Sequence, residues 1–202
     1  MTQPSPRPAE STPEVYAAVL DANVLVPTAL CDTLLRLAED GFYRPLWSER
    51  ILLEVEHAVI SLYPDIDPTR VRRRTQLMSA TFEDATVPGW EQVSAGLDLP
   101  DDNDRHVLAA AIVGGAQAIV TANLKDFPLE QLGPRAIEAR HPDDFLLDQL
   151  DLFPSRVLQV LSEQAADLRN PPMDLAGLLN NLARCQVPNF VEAVRRQAPE
   201  SM

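Results

Sequence analysis

Two short runs of the chain are apolar at almost every position and stop abruptly at polar residues. Residues 15–20 (VYAAVL) end in Asp21, Ala22 and Asn23, and residues 117–121 (QAIVT) run into Ala122, Asn123, Leu124, Lys125 and Asp126. A strand covered on both faces reads as a continuous apolar run, whereas a half-exposed strand alternates. Parallel strands cannot be joined by a tight turn and need a crossover, usually a helix. Stretches with helical spacing fill the intervals. Residues 30–40 carry Leu30, Leu34, Leu37 and Ala38 and stop at Gly41. Residues 49–62 follow the capping residue Ser48 and present Ile51, Leu52, Val55, Val59 and Leu62 on one face. A further helix starts at Asp101 or Asp102 and ends at Gly114 and Gly115, because Asp caps a first turn and Gly ends a last one. Residues 43–47 and 136–140 supply two more strands, the second at an edge, and residues 86–99 read as a short strand and loop. This alternation specifies an α/β fold with a parallel sheet and right-handed crossovers.

The α/β pattern occupies residues 15–141. Before it, residues 1–14 carry Pro4, Pro6, Pro8 and Pro13 among polar neighbours and are expected to form a disordered tail. After it, residues 142–202 change character: stretches 142–152, 154–168, 173–183 and 188–196 read as four helices with Pro at or near the starts, and Leu146, Leu150, Leu158 and Leu161 supply apolar stripes. This is a helical C-terminal extension without obvious chemistry of its own.

The formal net charge of −13 opposes non-specific contact with a phosphate backbone. A nucleic-acid role therefore needs a local basic patch or a metal. The only dense basic run is Arg70, Arg72, Arg73 and Arg74, on a helix that starts at Asp67–Pro68–Thr69; it serves equally as a phosphate-contacting patch, a solvated face or an ion-pair surface. No basic-then-apolar leader opens the chain, and the longest apolar stretch, 107–120, is interrupted by Gly114, Gly115 and Gln117 and is too short to span a bilayer. Cys31 and Cys185 fit no metal-ligand spacing and suit a reducing compartment. A cytoplasmic protein without membrane contact is the expectation.

Acids stand where sites form in open α/β sheets, beyond the carboxyl ends of strands. Asp21 follows the first strand, Asn123 and Asp126 follow a later one, and residues 101–104 hold three carboxylates of which capping uses one. Glu54 lies beside the apolar stripe of its helix, between Leu53 and Val55. Each has a plain alternative as a cap, a turn residue or a solvated side chain. If the fold gathers them, carboxylates about 5 Å apart repel by roughly 3 kcal/mol per pair at an effective dielectric of about 20, so the cluster must take up protons or a cation. Oxygen donors without soft ligands select Mg²⁺ or Mn²⁺, and such an ion supports hydrolysis of a phosphodiester. The histidines, His57, His106 and His141, are assigned no catalytic role, and no Ser–His or Cys–His arrangement offers a protein nucleophile. A phosphatase that phosphorylates an aspartate wants a second acid two residues after the first, where Asn23 stands.

Four segments in order carry a resemblance: Leu20–Asp21–Ala22–Asn23; residues 48–55 (SERILLEV); residues 101–109 (DDNDRHVLA); and residues 119–128 (IVTANLKDFP). Together they resemble the PIN-domain ribonucleases, and most nearly the VapC-type toxins of bacterial toxin–antitoxin pairs, over about residues 15 to 140. The resemblance implies a PIN-like α/β/α sandwich with a central parallel sheet and Mg²⁺- or Mn²⁺-dependent cleavage of RNA. It also implies inhibition by a cognate antitoxin, and frequent homodimers. By motif position Asp21, Glu54 and Asp104 would be the catalytic, metal-binding acids and Asp126 a further metal ligand. Asn23, Thr121 and Asn123 would be polar supports and Asp101 would sit at the pocket edge. Many family members carry an acid where this chain has Asn123. The competing reading is therefore a catalytically weak or inactive PIN-like module that binds RNA or protein.

Overall fold

The computed structural model describes residues 15–169 and 171–198; the expected tail, residues 1–14, lies outside them. Four strands form one parallel sheet in the order β2-β1-β3-β4: β1 (Ala17–Leu20), β2 (Arg44–Leu46), β3 (Ala118–Val120) and β4 (Glu138–Arg140). The runs that read as continuously apolar are the two central strands, and every residue of β1 and β3 is buried. Leu20 pairs with Val120 at their carboxyl ends.

The chain leaves β1 towards β2 on one side and later returns past β1 to β3 and β4 on the other. Right-handed crossovers that run in opposite directions place their helices on opposite faces. The first crossover holds α1 (Ala22–Leu25) and α2 (Thr28–Glu39). The second holds α3 (Glu49–Leu62), α4 (Pro68–Thr81), α5 (Glu91–Ser94) and α6 (Arg105–Gly114), and α7 (Leu129–Leu132) precedes β4. The result is the expected α/β/α arrangement. Ser48 caps α3 by accepting from Ile51 N at 3.2 Å, and Asp67 caps α4 by accepting from Thr69 N at 2.9 Å, each worth about 1 kcal/mol.

The expected strand within residues 86–99 shrinks to a single bridge, Trp47 with Thr86, before α5. Its backbone bonds, Trp47 N to Ala85 O at 3.0 Å and Val87 N to Trp47 O at 2.8 Å, extend the sheet beyond the end of β2. The close approach of α6 requires a glycine: a Cβ on Gly114 would come within 2.9 Å of both Leu46 Cδ1 and Val87 Cγ2. Gly115, at φ +64°, then ends the helix in the left-handed conformation.

Four helices follow β4: α8 (Pro142–Leu152), α9 (Pro154–Asp167), α10 (Leu175–Arg184) and α11 (Pro188–Gln197). They form no detached bundle. Helices α9 and α10 pack along α2, and α11 packs along α8. Phe145 meets Tyr43 edge-on with ring centroids 4.9 Å apart. The α2–α9 seam contains a buried polar link. Thr33 Oγ1 lies 2.8 Å from Gln164 Oε1, and Gln164 Nε2 donates to Ala29 O at 3.1 Å. Ion pairs of Arg36 with Asp167 and of Arg156 with Asp40 flank it at the surface. Buried Asp143 accepts from Asn189 N, Asn189 Nδ2 and Phe190 N, and so caps α11 from within α8. Each of these links crosses more than forty residues of sequence, which is why residue patterns do not reveal them.

Because the seam is buried, Gln164→Leu removes the bond from Gln164 Nε2 to Ala29 O and leaves Thr33 Oγ1 only its bond to Ala29 O at 3.0 Å, a loss of about 1 kcal/mol. Both tryptophans, Trp47 and Trp90, precede the extension. Urea unfolding followed by their fluorescence should shift with the substitution and coincide with the helical signal; an unmoved fluorescence midpoint would show that the extension folds independently.

Candidate active site at the carboxyl ends of β1 and β3

The sheet reverses its connection order between β1 and β3, and open α/β sheets place their sites in the crevice at that point. Asp21 extends β1 by one ladder bond, Asp21 N to Val120 O at 3.1 Å, and begins α1 with its side chain accepting from Ala22 N at 2.6 Å. The helix-cap reading of Asp21 is therefore correct. It accounts for one oxygen only: Oδ2 accepts from Asn23 Nδ2 at 2.5 Å and from Thr121 Oγ1 at 2.7 Å. An ionised carboxylate offers about four lone-pair positions, so these three donors leave one at Oδ1.

The partners are themselves fixed. Asn23 Oδ1 accepts from Ala122 N at 3.0 Å, and Thr121 Oγ1 accepts from Asn123 N at 3.0 Å. Asn123 Nδ2 donates to Asp126 Oδ2. The polar residues after β1 and after β3 thus form one network. Burial pushes the Asp21 carboxyl above its ordinary range, hydrogen bonds from Thr121 and Ala22 oppose this, and the Glu54 charge adds to it.

Glu54 reaches the same field from α3. Its Oε1 receives Arg50 Nε at 2.9 Å and lies 3.0 Å from His106 Nε2. Burial alone would raise this carboxyl, but the hydrogen bond and charge of His106, then those of Arg50, hold it below the usual range. Asp104 closes a 3₁₀ turn, Asp102–Asp104, that leads into α6. Asp101 caps this turn, accepting from Asn103 N at 2.9 Å, and Asp102 pairs with Arg105 at 2.6 Å. That leaves Asp104 without a capping bond. Burial, then the charges of Asp21, Asp101 and Asp126, push the Asp104 carboxyl up to about 6, with His106 opposing.

His106, to which the sequence assigned no catalytic role, is packed inside the site. It is 5% exposed, in contact with Glu54, and stacked edge-on against Trp90 with centroids 5.7 Å apart. The signal that could have found it is its place in the sequence, two residues beyond Asp104 on the buried face of an amphipathic start. Of the others, His57 is exposed and His141 Nδ1 accepts from Asp143 N at 3.2 Å, capping α8. Arg74 leaves the basic patch: it donates to Leu25 O and Val26 O and ties α4 to the end of α1. Arg70, Arg72 and Arg73 remain exposed.

Among the described residues no three His, Cys, Asp or Glu side chains are disposed to hold a metal ion as they stand. The donor chemistry nevertheless suits a hard cation. The acids that act on Asp104 offer only oxygen, Asp21 retains a lone-pair position, and the charge repulsion on Asp104 is what a cation would relieve.

A raised carboxyl stabilises the folded state below its ordinary pKa of 3.8 and loses that contribution as pH rises through about 6. In EDTA at pH 7.5, Asp104→Asn removes an ionised, repelled group and should raise the thermal midpoint. At pH 3, below both the ordinary and the raised value, Asp104 is largely protonated folded or unfolded and the gain should vanish. Equal shifts at both pH values would exclude charge repulsion as its cause.

A family model described as PIN domain matches residues 17–125, and one described as VapC50 C-terminal domain matches residues 142–196. The chain is similar to "Putative ribonuclease VapC50" of Mycobacterium tuberculosis, 48% identical over 96 residues. That match covers 48% of this chain and 56% of the relative, so the chain spans little more than half the length of the curated relative it matches. No solved structure gives a significant match. No helix among the described residues is long and apolar enough to cross a membrane. With its four-stranded parallel sheet, its acids at the switch point and a matching model over more than half its length, the chain belongs to the PIN-domain family.

Proposed function

We propose that this chain is a divalent-metal-dependent endoribonuclease and acts as the toxin of a toxin–antitoxin pair in the cytoplasm. One observation carries the reading: the Asp104 carboxyl is pushed up to about 6 by burial and by three acids that arrive from other positions in the chain, Asp21, Asp101 and Asp126. A cation held there would offset the part of that rise that comes from the three acids. The name of the VapC50 relative and the two family models support the substrate class.

Asp21, Glu54 and Asp104 would hold Mg²⁺ or Mn²⁺, with Asp126 at the margin. When bound, such an ion acts as a Lewis acid that makes water nucleophilic and offsets charge on the phosphoryl group. The chain's own residues do the rest. Thr121 and Asn23 lock Asp21 in one rotamer and so hold a lone pair at a fixed place. Glu54 stays ionised because His106 and Arg50 face it. Asn123 engages Asp126 where many family members present an acid, so the second acidic position is weakened and a single ion suffices for the reading. Arg70, Arg72 and Arg73 on α4 would contact RNA phosphates. An antitoxin would enter with a basic side chain, because the pocket is acidic, and a homodimer is compatible with the fold.

The test is total RNA incubated with partner-free protein in Mn²⁺, Mg²⁺ or EDTA. Discrete fragments should need metal and disappear in Asp21→Asn, Glu54→Gln and Asp104→Asn, each with its fold retained by circular dichroism. Metal uptake without cleavage would favour the binding-module reading that Asn123 motivates. The triple change Arg70→Ala, Arg72→Ala and Arg73→Ala should raise KM for RNA and spare kcat, and should reduce the salt slope of binding by about 0.7 per lost phosphate contact on a single strand. An unchanged slope would remove α4 from the RNA path.

A further inference from the structure

Glu54 receives both of its side-chain donors on the same oxygen. Arg50 Nε bonds Oε1 at 2.9 Å from one turn earlier on α3, and His106 Nε2 stands 3.0 Å from that oxygen from α6. No protein group donates to Oε2 in the bonds of the described residues. Arg50 is half exposed and can leave, whereas His106 is buried and held against Trp90. The other ring nitrogen, His106 Nδ1, is buried and has no hydrogen-bond partner among the described residues. A carboxylate oxygen can only accept, so the 3.0 Å contact requires a proton on Nε2, donated to Glu54.

We propose that His106 is a positioning residue for metal binding: by donating from Nε2 to Oε1 it fixes the Glu54 carboxylate so that Oε2 is the oxygen offered to the divalent cation. The proposal rests on the reading of Glu54 as a metal ligand. His106 itself touches neither ion nor substrate. It works as a partner behind a ligating carboxylate, and the loss of such partners weakens metal binding by about 10–100-fold. A packing role alone would require only the ring's volume against Trp90, and would leave metal affinity indifferent to the donor at this position.

The experiment is Mn²⁺ titration by calorimetry on the full chain. His106→Met keeps an unbranched side chain and removes the donor; His106→Gln is nearly isosteric with it and restores an N–H at the position of Nε2. His106→Met should weaken Mn²⁺ binding by about 10-fold or more, and His106→Gln should recover most of it. In a Glu54→Gln background, His106→Met should cause no further loss, since its action passes through Glu54. If Glu54→Gln itself leaves Mn²⁺ affinity unchanged, the metal-ligand reading fails. If Glu54 matters and His106→Met binds like the wild type, the positioning role fails alone. An independent readout uses the wild-type protein: the ¹⁵N spectrum of the imidazoles should show a proton on His106 Nε2. A proton on Nδ1 with bare Nε2 would overturn the proposal whatever the variants do.

Discussion

The contact on which the rest depends is the hydrogen bond from Thr121 to Asp21, across the carboxyl ends of two parallel strands. It exists because Leu20 pairs with Val120, so that the next residue on each strand emerges at the same height. Thr121 is fully buried and Asp21 nearly so, at 6% exposure. A hydrogen bond to a charged group at such a place contributes about 1.5–3 kcal/mol. Its larger effect is geometric. It ties the start of α1, the end of β3 and the loop to Asn123 into one polar knot, and this determines where the remaining acids converge.

Around that knot the molecule carries electrostatic strain. Glu54 is relieved by His106 and Arg50 and is held below its usual range, whereas Asp104 has only the charge of His106 to oppose burial and its acidic neighbours, and is pushed up. Two carboxylates that both feel His106 therefore sit on opposite sides of their ordinary value. The difference follows from which helix each occupies. Glu54, within α3, has a basic residue one turn before it; Asp104, at the end of a 3₁₀ turn, has Asp101 and Asp102 just before it in sequence and feels the charges of Asp21 and Asp126 from elsewhere in the fold. Carboxylates driven apart in this way are candidates for a functional site.

The C-terminal helices belong to the same folded body. Their seam with α2 combines apolar packing with the Thr33–Gln164 link and surface ion pairs. Exposed pairs of this kind contribute little; the buried amide and the apolar residues Leu178, Leu182, Phe190 and Val194 supply the docking energy. Helix α2 directly follows α1, which Asp21 caps. Loosening the extension would therefore disturb the helix that leads away from the principal acid.

Much of this was legible in the sequence. Apolar runs, Gly punctuation and capping residues are local signals, and they predicted α3 at 49–62 and α8 at 142–152 with the bounds observed. The acids after strands were legible because a chain leaving a parallel strand must leave at the switch face. Three features were not: the single bridge at Thr86, the removal of Arg74 from the basic patch, and the contact of His106 with Glu54. Each depends on what lies opposite a side chain after folding. Arg74 meets the carbonyls that end α1, and His106 meets a carboxylate fifty-two positions earlier in the chain. Residue pattern by itself determined the elements and which of them carry acids, because helix and strand periods are properties of consecutive residues. Tertiary structure alone decided which acids are neutralised and which are left in repulsion, because that depends on partners supplied by other elements across the sheet.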